Sequence, residues 1–205
     1  MKIGFLMGSF DPIHVGHINM VRAALNSGLV DKVILVVSGH NPWKKEEPAP
    51  FDLRYQMAIA STLPFGDKCA VSNVENLFKP PYYSNKPLNY FKDIYPDDER
   101  FIICGTDTLT KIPNWKNFET DIFPYYGIIE VNRDNSIKDG EVKECCIPIK
   151  LKSGEKADYI YYSIPIKALD VSSTMIRDDI KNGNNLYPLL TECAIKIIKE
   201  NKLYV

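Results

Sequence analysis

Ten residues near the start of the chain, GSFDPIHVGH (8–17), place two of its three histidines three positions apart, beside a glycine turn and ahead of a helical pattern. Imidazoles at that spacing, next to a strand end and a helix entrance, suit the handling of an anion. Helix N-termini aim unpaired backbone N–H groups outward, and in open α/β sheets ligands bind beyond the carboxyl ends of strands. Gly8 permits a tight turn and a close backbone approach at Ser9 and Phe10. Gly16 keeps side chains out of the space between the helix end and an anion. Phe10, Pro12 and Ile13 stiffen the loop, and Asp11 is expected to tie it down through local backbone hydrogen bonds. Two other readings stand beside this one. His14 and His17 could ligate zinc, though no third ligand is placed nearby. They could also be structural histidines.

A second constellation lies far downstream in VSSTMIR (171–177). Ser172 or Ser173 can cap a helix whose free N–H groups meet phosphate. Arg177 falls four residues after Ser173, on the same face, and helical side chains lean toward the N-terminus, so its guanidinium reaches back to the same anion. Taken alone, this is also the pattern of an ordinary capped surface helix. A third stretch, NPWKKEEPAPFDLRYQM (41–57), brings Lys44 and Lys45 to the same sheet edge. Neither the G-x-G-x-x-G fingerprint nor the P-loop pattern occurs, so the phosphate site is of another design.

The elements that must position these residues alternate in type. KIGFLMG, KVILVVSG, CAVSNV, RFIICG and YGIIEV read as buried strands. Helices are expected from His17, with Ile18, Val21 and Leu25 inward and Gly28 at the C-terminal cap; over FDLRYQMAIASTL, with Asp52 as N-cap and Leu53, Met57 and Ala60 inward; and from Leu88 to Ile94. This alternation predicts an α/β fold of Rossmann-like, doubly wound type: a mainly parallel sheet with helices on both faces. One domain, 1–205, is expected, with a loop or hairpin insertion at about 132–158. After it come a strand in YIYYSIPI, a helix in SSTMIRDDIKNG and a C-terminal helix opened by Pro188, with Leu190, Ala194, Ile197 and Ile198 inward.

Bulk properties narrow the function classes. The 205 residues are 45% hydrophobic, enough for a substantial core. A net charge of -1 argues against nucleic acid as main partner. No apolar run approaches the ~20 residues of a membrane span, and the N-terminus does not read as a secretory signal. Five cysteines without C-x-x-C spacing argue against a disulfide framework or zinc ribbon; Cys69 and Cys104 read as small core residues. A cytoplasmic location is the expectation.

GSFDPIHVGH resembles the G-[TS]-F-[DN]-P-x-H-x-G-H signature of the nucleotidylyltransferase superfamily, and VSSTMIR resembles its closing [IV]-S-S-T-x-[IV]-R element. Over nearly the whole chain the sequence is similar to bacterial nicotinate (or nicotinamide) mononucleotide adenylyltransferases. The resemblance extends to P-x-K followed by Arg-x-x-Met (42–57), to FIICGTDTLTKIPNW (101–115) and to the tail LLTECAIKIIKENKLY. It implies adenylyl transfer from ATP, with magnesium, to nicotinate or nicotinamide mononucleotide. By this match His17 acts on the α-phosphate, His14 on the triphosphate, and Lys44 and Arg177 on the departing phosphates. The Gly8-Ser9-Phe10 backbone cradles the nucleotide, with Gly16, Ser172 and Ser173 completing the ATP side. Asp107 lies near ribose hydroxyls and Trp115 offers a face to the pyridine ring. Arg54 supports the loop or reaches the nucleotide on the acceptor side, and Tyr83 and Ser84 stand loosely for the family's S-Y-T segment. The chain departs from the pattern at Met7, Ser9 and Thr191. Competing readings are phosphopantetheine adenylyltransferase, cytidylyl transfer to a small alcohol phosphate, and a non-catalytic nucleotide sensor on the same fold.

Overall fold

The computed structural model describes residues 1–39, 47–132, 141–167 and 169–205. Seven strands form one sheet: β1 (Lys2–Gly8), β2 (Lys32–Val37), β3 (Cys69–Ser72), β4 (Glu99–Gly105), β5 (Gly127–Asn132), β6 (Lys143–Lys150) and β7 (Lys156–Pro165). Their spatial order is β3-β2-β1-β4-β5-β7-β6. All neighbours pair in parallel except β6 and β7, which form an antiparallel edge hairpin. The stretch expected as a loop or hairpin insertion thus supplies β6 and the first three residues of β7, and the strand expected in YIYYSIPI is the rest of β7.

Among the described residues, six helices cover the sheet: α1 (Val15–Asn26), α2 (Phe51–Thr62), α3 (Asn85–Ile94), α4 (Thr106–Leu109), α5 (Ser173–Lys181) and α6 (Glu192–Glu200). The strands alternate between two cores, as a pleated chain buried on both faces must. Leu6, Leu35, Ile103 and Ile129 join Ile18 and Val21 of α1, Met57 of α2, Ile176 of α5 and Ile198 of α6. Phe5, Ile34, Ile102 and Ile128 join Leu88 and Phe91 of α3, Leu109 of α4, and Phe118 and Ile122 beyond it. The helix cover changes face between β1 and β4, neighbouring parallel strands, so the carboxyl ends of these two strands flank the crevice where this topology binds ligands.

Several local expectations need correction. The first helix starts at Val15, two residues before His17, with His14 as its N-cap; Gly28 follows the C-cap Ser27 with φ of 72°. α2 has Pro50 as N-cap, and Asp52 lies within its first turn. Its buried face is Arg54, Met57, Ala58, Ser61 and Thr62, because Arg54 points inward and turns the stripe away from Leu53 and Ala60. Pro188 does not open α6. Thr191 does, its Oγ1 accepting from Ala194 N at 3.3 Å and meeting Ser61 Oγ at 2.9 Å. Cys104 is buried and Cys69 partly so, and burial pushes both thiols up to about 12. No helix among the described residues is long and apolar enough to cross a membrane.

Candidate active site

At the carboxyl end of β1, Gly8 turns the chain into the first motif. A Cβ at Gly8 would sit 3.1 Å from the Phe10 ring, which folds back into the core with its backbone at φ of 47°. The two histidines then build the entrance of α1 themselves. His14 Nδ1 accepts from Gly16 N at 3.1 Å, and His17 Nδ1 accepts from His14 N at 3.2 Å, a reciprocal capping arrangement. The rings lie 3.8 Å apart between centroids, and Phe10 meets His17 edge-on at 5.1 Å. Because each Nδ1 accepts, the proton of each neutral ring sits on Nε2, and Nε2 is the donor atom each ring offers.

Gly16 has a reason beyond the one anticipated. A Cβ there would lie 2.9 Å from the His14 ring and 3.2 Å from Val171, so the glycine makes room for the histidine and for the second motif at once. The motifs lock together at further points. Ser173 Oγ donates to Pro12 O at 3.0 Å, and Arg177 Nη1 donates to Asp11 O at 2.9 Å. Ser172, not Ser173, caps α5, accepting from Met175 N at 3.1 Å. Arg177 reaches back along α5 as expected, its Nη2 lying 3.4 Å from Thr174 Oγ1.

Asp11 works at long range rather than locally. Its buried carboxylate accepts from Ala49 N at 3.1 Å and from the Tyr204 hydroxyl at 2.7 Å, and stands 3.8 Å from Arg177 Nη1. The penultimate residue of the chain therefore holds the first motif. Burial, then the neighbouring Asp11 carboxylate, raises the Tyr204 hydroxyl and keeps it the donor.

Of the two roles expected of Arg54, the structure shows support of the loop, and its placement on the acceptor side is corrected accordingly. Only 1% exposed, it donates from Nε to Ala49 O (2.8 Å), from Nη1 to Ser9 O (2.6 Å) and Ser38 O (2.8 Å), and from Nη2 to Gly39 O (2.8 Å). Its guanidinium is spent on backbone carbonyls. Glu75, which the sequence reading missed, completes the frame: its buried Oε2 accepts from Gly39 N at 2.8 Å. A lone acid in VENLF carries no local signal of such a role. Burial pushes the Glu75 carboxyl up to about 7, against the lowering pull of the Gly39 N–H, Arg54 and Lys86.

The other residues expected on the acceptor side, Tyr83, Ser84, Asp107 and Trp115, lie on or beside elements of the other face. Asp107 is exposed in the first turn of α4, just beyond β4. Trp115 is half-buried against the second core. Ser84 is the N-cap residue of α3, and the Tyr83 ring stands 4.7 Å from Nζ of Lys116, the neighbour of Trp115. Tyr82 packs on Gly39, where a Cβ would come within 3.0 Å of its ring. Hence the Tyr83 segment touches both the Trp115 segment and the frame under the first motif. Lys44 and Lys45 lie outside the described residues. Among the described residues, no three His, Cys, Asp or Glu side chains cluster as metal ligands.

A family model described as cytidylyltransferase-like matches residues 5–179. A probable nicotinate-nucleotide adenylyltransferase of Flavobacterium johnsoniae is 32% identical over 210 aligned positions, covering 100% of this chain and 99% of its own. Its counterpart in Clostridium tetani is 33% identical, covering 96% of each. In fold, the chain is similar to Plasmodium falciparum nicotinic acid mononucleotide adenylyltransferase, solved in complex with NaAD, with a TM-score of 0.73, 18% identity, and coverage of 99% and 97%.

The frame makes two predictions. Arg54→Lys keeps the charge but cannot span four carbonyls, so urea unfolding is expected to show a loss of about 2–4 kcal/mol; an unchanged midpoint would mean the carbonyls are satisfied otherwise. Glu75 has its folded pKa raised, so the stability it contributes is present below about 4.5 and lost as pH rises through about 7. Glu75→Gln should therefore gain on the wild type by about 2–3 kcal/mol between pH 5 and pH 8. A pH-independent difference would show that Glu75 titrates as an ordinary carboxylate.

Proposed function

The chain belongs to the cytidylyltransferase-like family, and from that premise we propose that it transfers the adenylyl group of ATP to nicotinate mononucleotide, forming nicotinate adenine dinucleotide and pyrophosphate. The observation that carries the reading is the fusion of two distant motifs into one site at the β1–β4 crevice: Gly16 against Val171, Ser173 on Pro12, and Arg177 on Asp11. Full-length similarity to nicotinate-nucleotide adenylyltransferases supports the choice of acceptor.

In this reading a phosphate oxygen of the mononucleotide attacks the α-phosphorus of ATP in line. A new O–P bond forms as the bond to the bridging oxygen of the β-phosphate breaks, and pyrophosphate departs. The attacking phosphate is already ionised at neutral pH, so no protein nucleophile is needed. The work of the protein is placement and stabilisation of charge on the phosphoryl oxygens. His17, through Nε2–H, serves the α-phosphate; His14 serves the triphosphate. The backbone at Gly8, Ser9 and Phe10 and the capped start of α5 cradle the nucleotide. Lys44 and Arg177 hold the leaving phosphates, Arg177 being partly exposed and already anchored to the loop. Magnesium enters with ATP as part of the substrate. On the acceptor side, Trp115 stacks on the pyridine ring, Asp107 meets ribose hydroxyls, and Tyr83 and Ser84 border the ring substituent. The setting proposed is the cytoplasm, in keeping with five free thiols.

Pyrophosphate release from MgATP tests the reading, with nicotinate mononucleotide, nicotinamide mononucleotide and phosphopantetheine offered in parallel. Nicotinate mononucleotide should be the best acceptor; preference for phosphopantetheine would overturn the assignment. His17→Ala should fold and lose about 10²–10³ in kcat, the usual cost of one donor to developing charge. Trp115→Ala should raise the acceptor KM roughly tenfold while the MgATP KM changes little. Equal weakening of both substrates would instead point to loop closure or folding.

A further inference from the structure

Tyr83 and Ser84 precede α3, whereas Trp115 follows β4, and the two segments have to be held at a fixed spacing if both are to border one ring. One side chain joins them. Asp121 lies in the π-helical turn Phe118–Ile122, shortly after Trp115. Its Oδ2 accepts from three amides: Asn85 Nδ2 at 3.0 Å and Asn89 Nδ2 at 2.9 Å, both on α3, and Asn117 Nδ2 at 3.2 Å. Its Oδ1 accepts from Thr120 Oγ1 at 2.8 Å.

The arrangement has a cost that marks it as more than a surface contact. Turning the amides of Asn85 and Asn89 donor-first toward Asp121 leaves both Oδ1 atoms buried without a hydrogen-bond partner. Asn117 takes the left-handed conformation, φ of 56°, which an asparagine tolerates better than most residues. Only an ionised carboxylate, an acceptor at every lone pair, can receive so many donors. Burial alone would raise its pKa, but the donations from Asn85, Thr120, Asn89 and Asn117 together outweigh that and hold it at about 2. A second link joins the same segments, the Lys116 ammonium over the Tyr83 ring.

We propose that Asp121 is a positioning residue for the acceptor, stapling the start of α3 beside Tyr83 and Ser84 to the turn that follows Trp115. The proposal rests on the acceptor reading given above. Asp121 touches no substrate. It fixes the spacing between the segment that borders the ring substituent and the indole that stacks on the ring, and so acts on acceptor affinity alone. The ATP side is held by other bonds, those of Arg54, Asp11 and Arg177, and none of the hydrogen bonds of Asp121 reaches it.

Steady-state kinetics with MgATP and nicotinate mononucleotide test this in the full-length protein, using Asp121→Asn and Asn117→Gly. The glycine keeps the left-handed backbone accessible and removes a single donor. In Asp121→Asn the acceptor KM should rise about five- to tenfold, and less in Asn117→Gly, with kcat at saturation and the MgATP KM held within about twofold. Trp115 emission, read in a Trp43→Phe background and titrated with nicotinate mononucleotide alone, should shift to higher concentration by the same factor. An unchanged acceptor KM in either folded variant, or parallel rises in both KM values, would overturn the proposal. If Asp121→Asn does not fold, Asn117→Gly decides by the same split. A wild-type protein inactive on nicotinate mononucleotide would overturn the acceptor reading itself, and the staple with it.

Discussion

The site depends first on one buried cation. β1 and β2 end side by side, and the chain leaves each of them into a loop, so the carbonyls of Ser9, Ser38 and Gly39, like that of Ala49 ahead of α2, have no sheet partner, and all four residues are partly buried. Arg54 answers all four with one planar fork. Leaving such groups unpaired would cost on the order of 1–3 kcal/mol each, more than the fold could bear at several positions together. Burial lowers the pKa of the guanidinium, but Asp11, Tyr204 and Glu75 oppose the shift, and an arginine stays charged in any case. Two carboxyl groups act on it, those of Asp11 and Glu75, one accepting from Ala49 N and the other from Gly39 N. Both flanks of the 40–46 segment are thus held by the same charged group and its partners.

From that centre the constraint spreads to both ends of the chain. Asp11 joins Ala49, Arg177 and Tyr204, so the segment ahead of α2, α5 and Tyr204 share one carboxylate of the first loop. Neither motif is formed in isolation. His14 can occupy its capping position only because Gly16 lacks a side chain, and Gly16 is flat enough for Val171 to close over it. The two motifs are therefore set by long-range contacts, and their geometry is a property of the complete fold rather than of a loop.

This explains which parts of the molecule could be read from the sequence. Strands buried on both faces write themselves as continuous apolar runs, and β1, β2, β4 and β5 were legible for that reason. The edge hairpin was harder, since β6 is exposed at most of its positions and keeps only partial alternation. Histidines and glycines of the first motif stood out by type and spacing. Arg54 did not reveal its direction: an arginine on an amphipathic helix looks the same whether it faces ligand or core, and its inward turn rotated the whole buried stripe of α2. Glu75, Asp121 and Tyr204 acquire their roles only through partners 36, 32 to 36 and 193 residues away, a separation over which local patterns carry no information.

The topology also separates two demands that would otherwise conflict. Adenylyl transfer needs an unvarying phosphate site, whereas recognition of the acceptor has to be adjustable. Here the first motif, α2 and α5 pack into one core, and α3, α4 and the Trp115 segment into the other, with the sheet between them. Tyr82 packs on Gly39, where the two sides of the site meet. Lys116 and the asparagine cluster around Asp121 alter one wall without touching the other. What remains common to both walls is the crevice between β1 and β4, whose width is fixed by strand pairing. On the proposed reading, that fixed width would bring an acceptor phosphate in line with the α-phosphate whichever side chains dress the proposed acceptor wall.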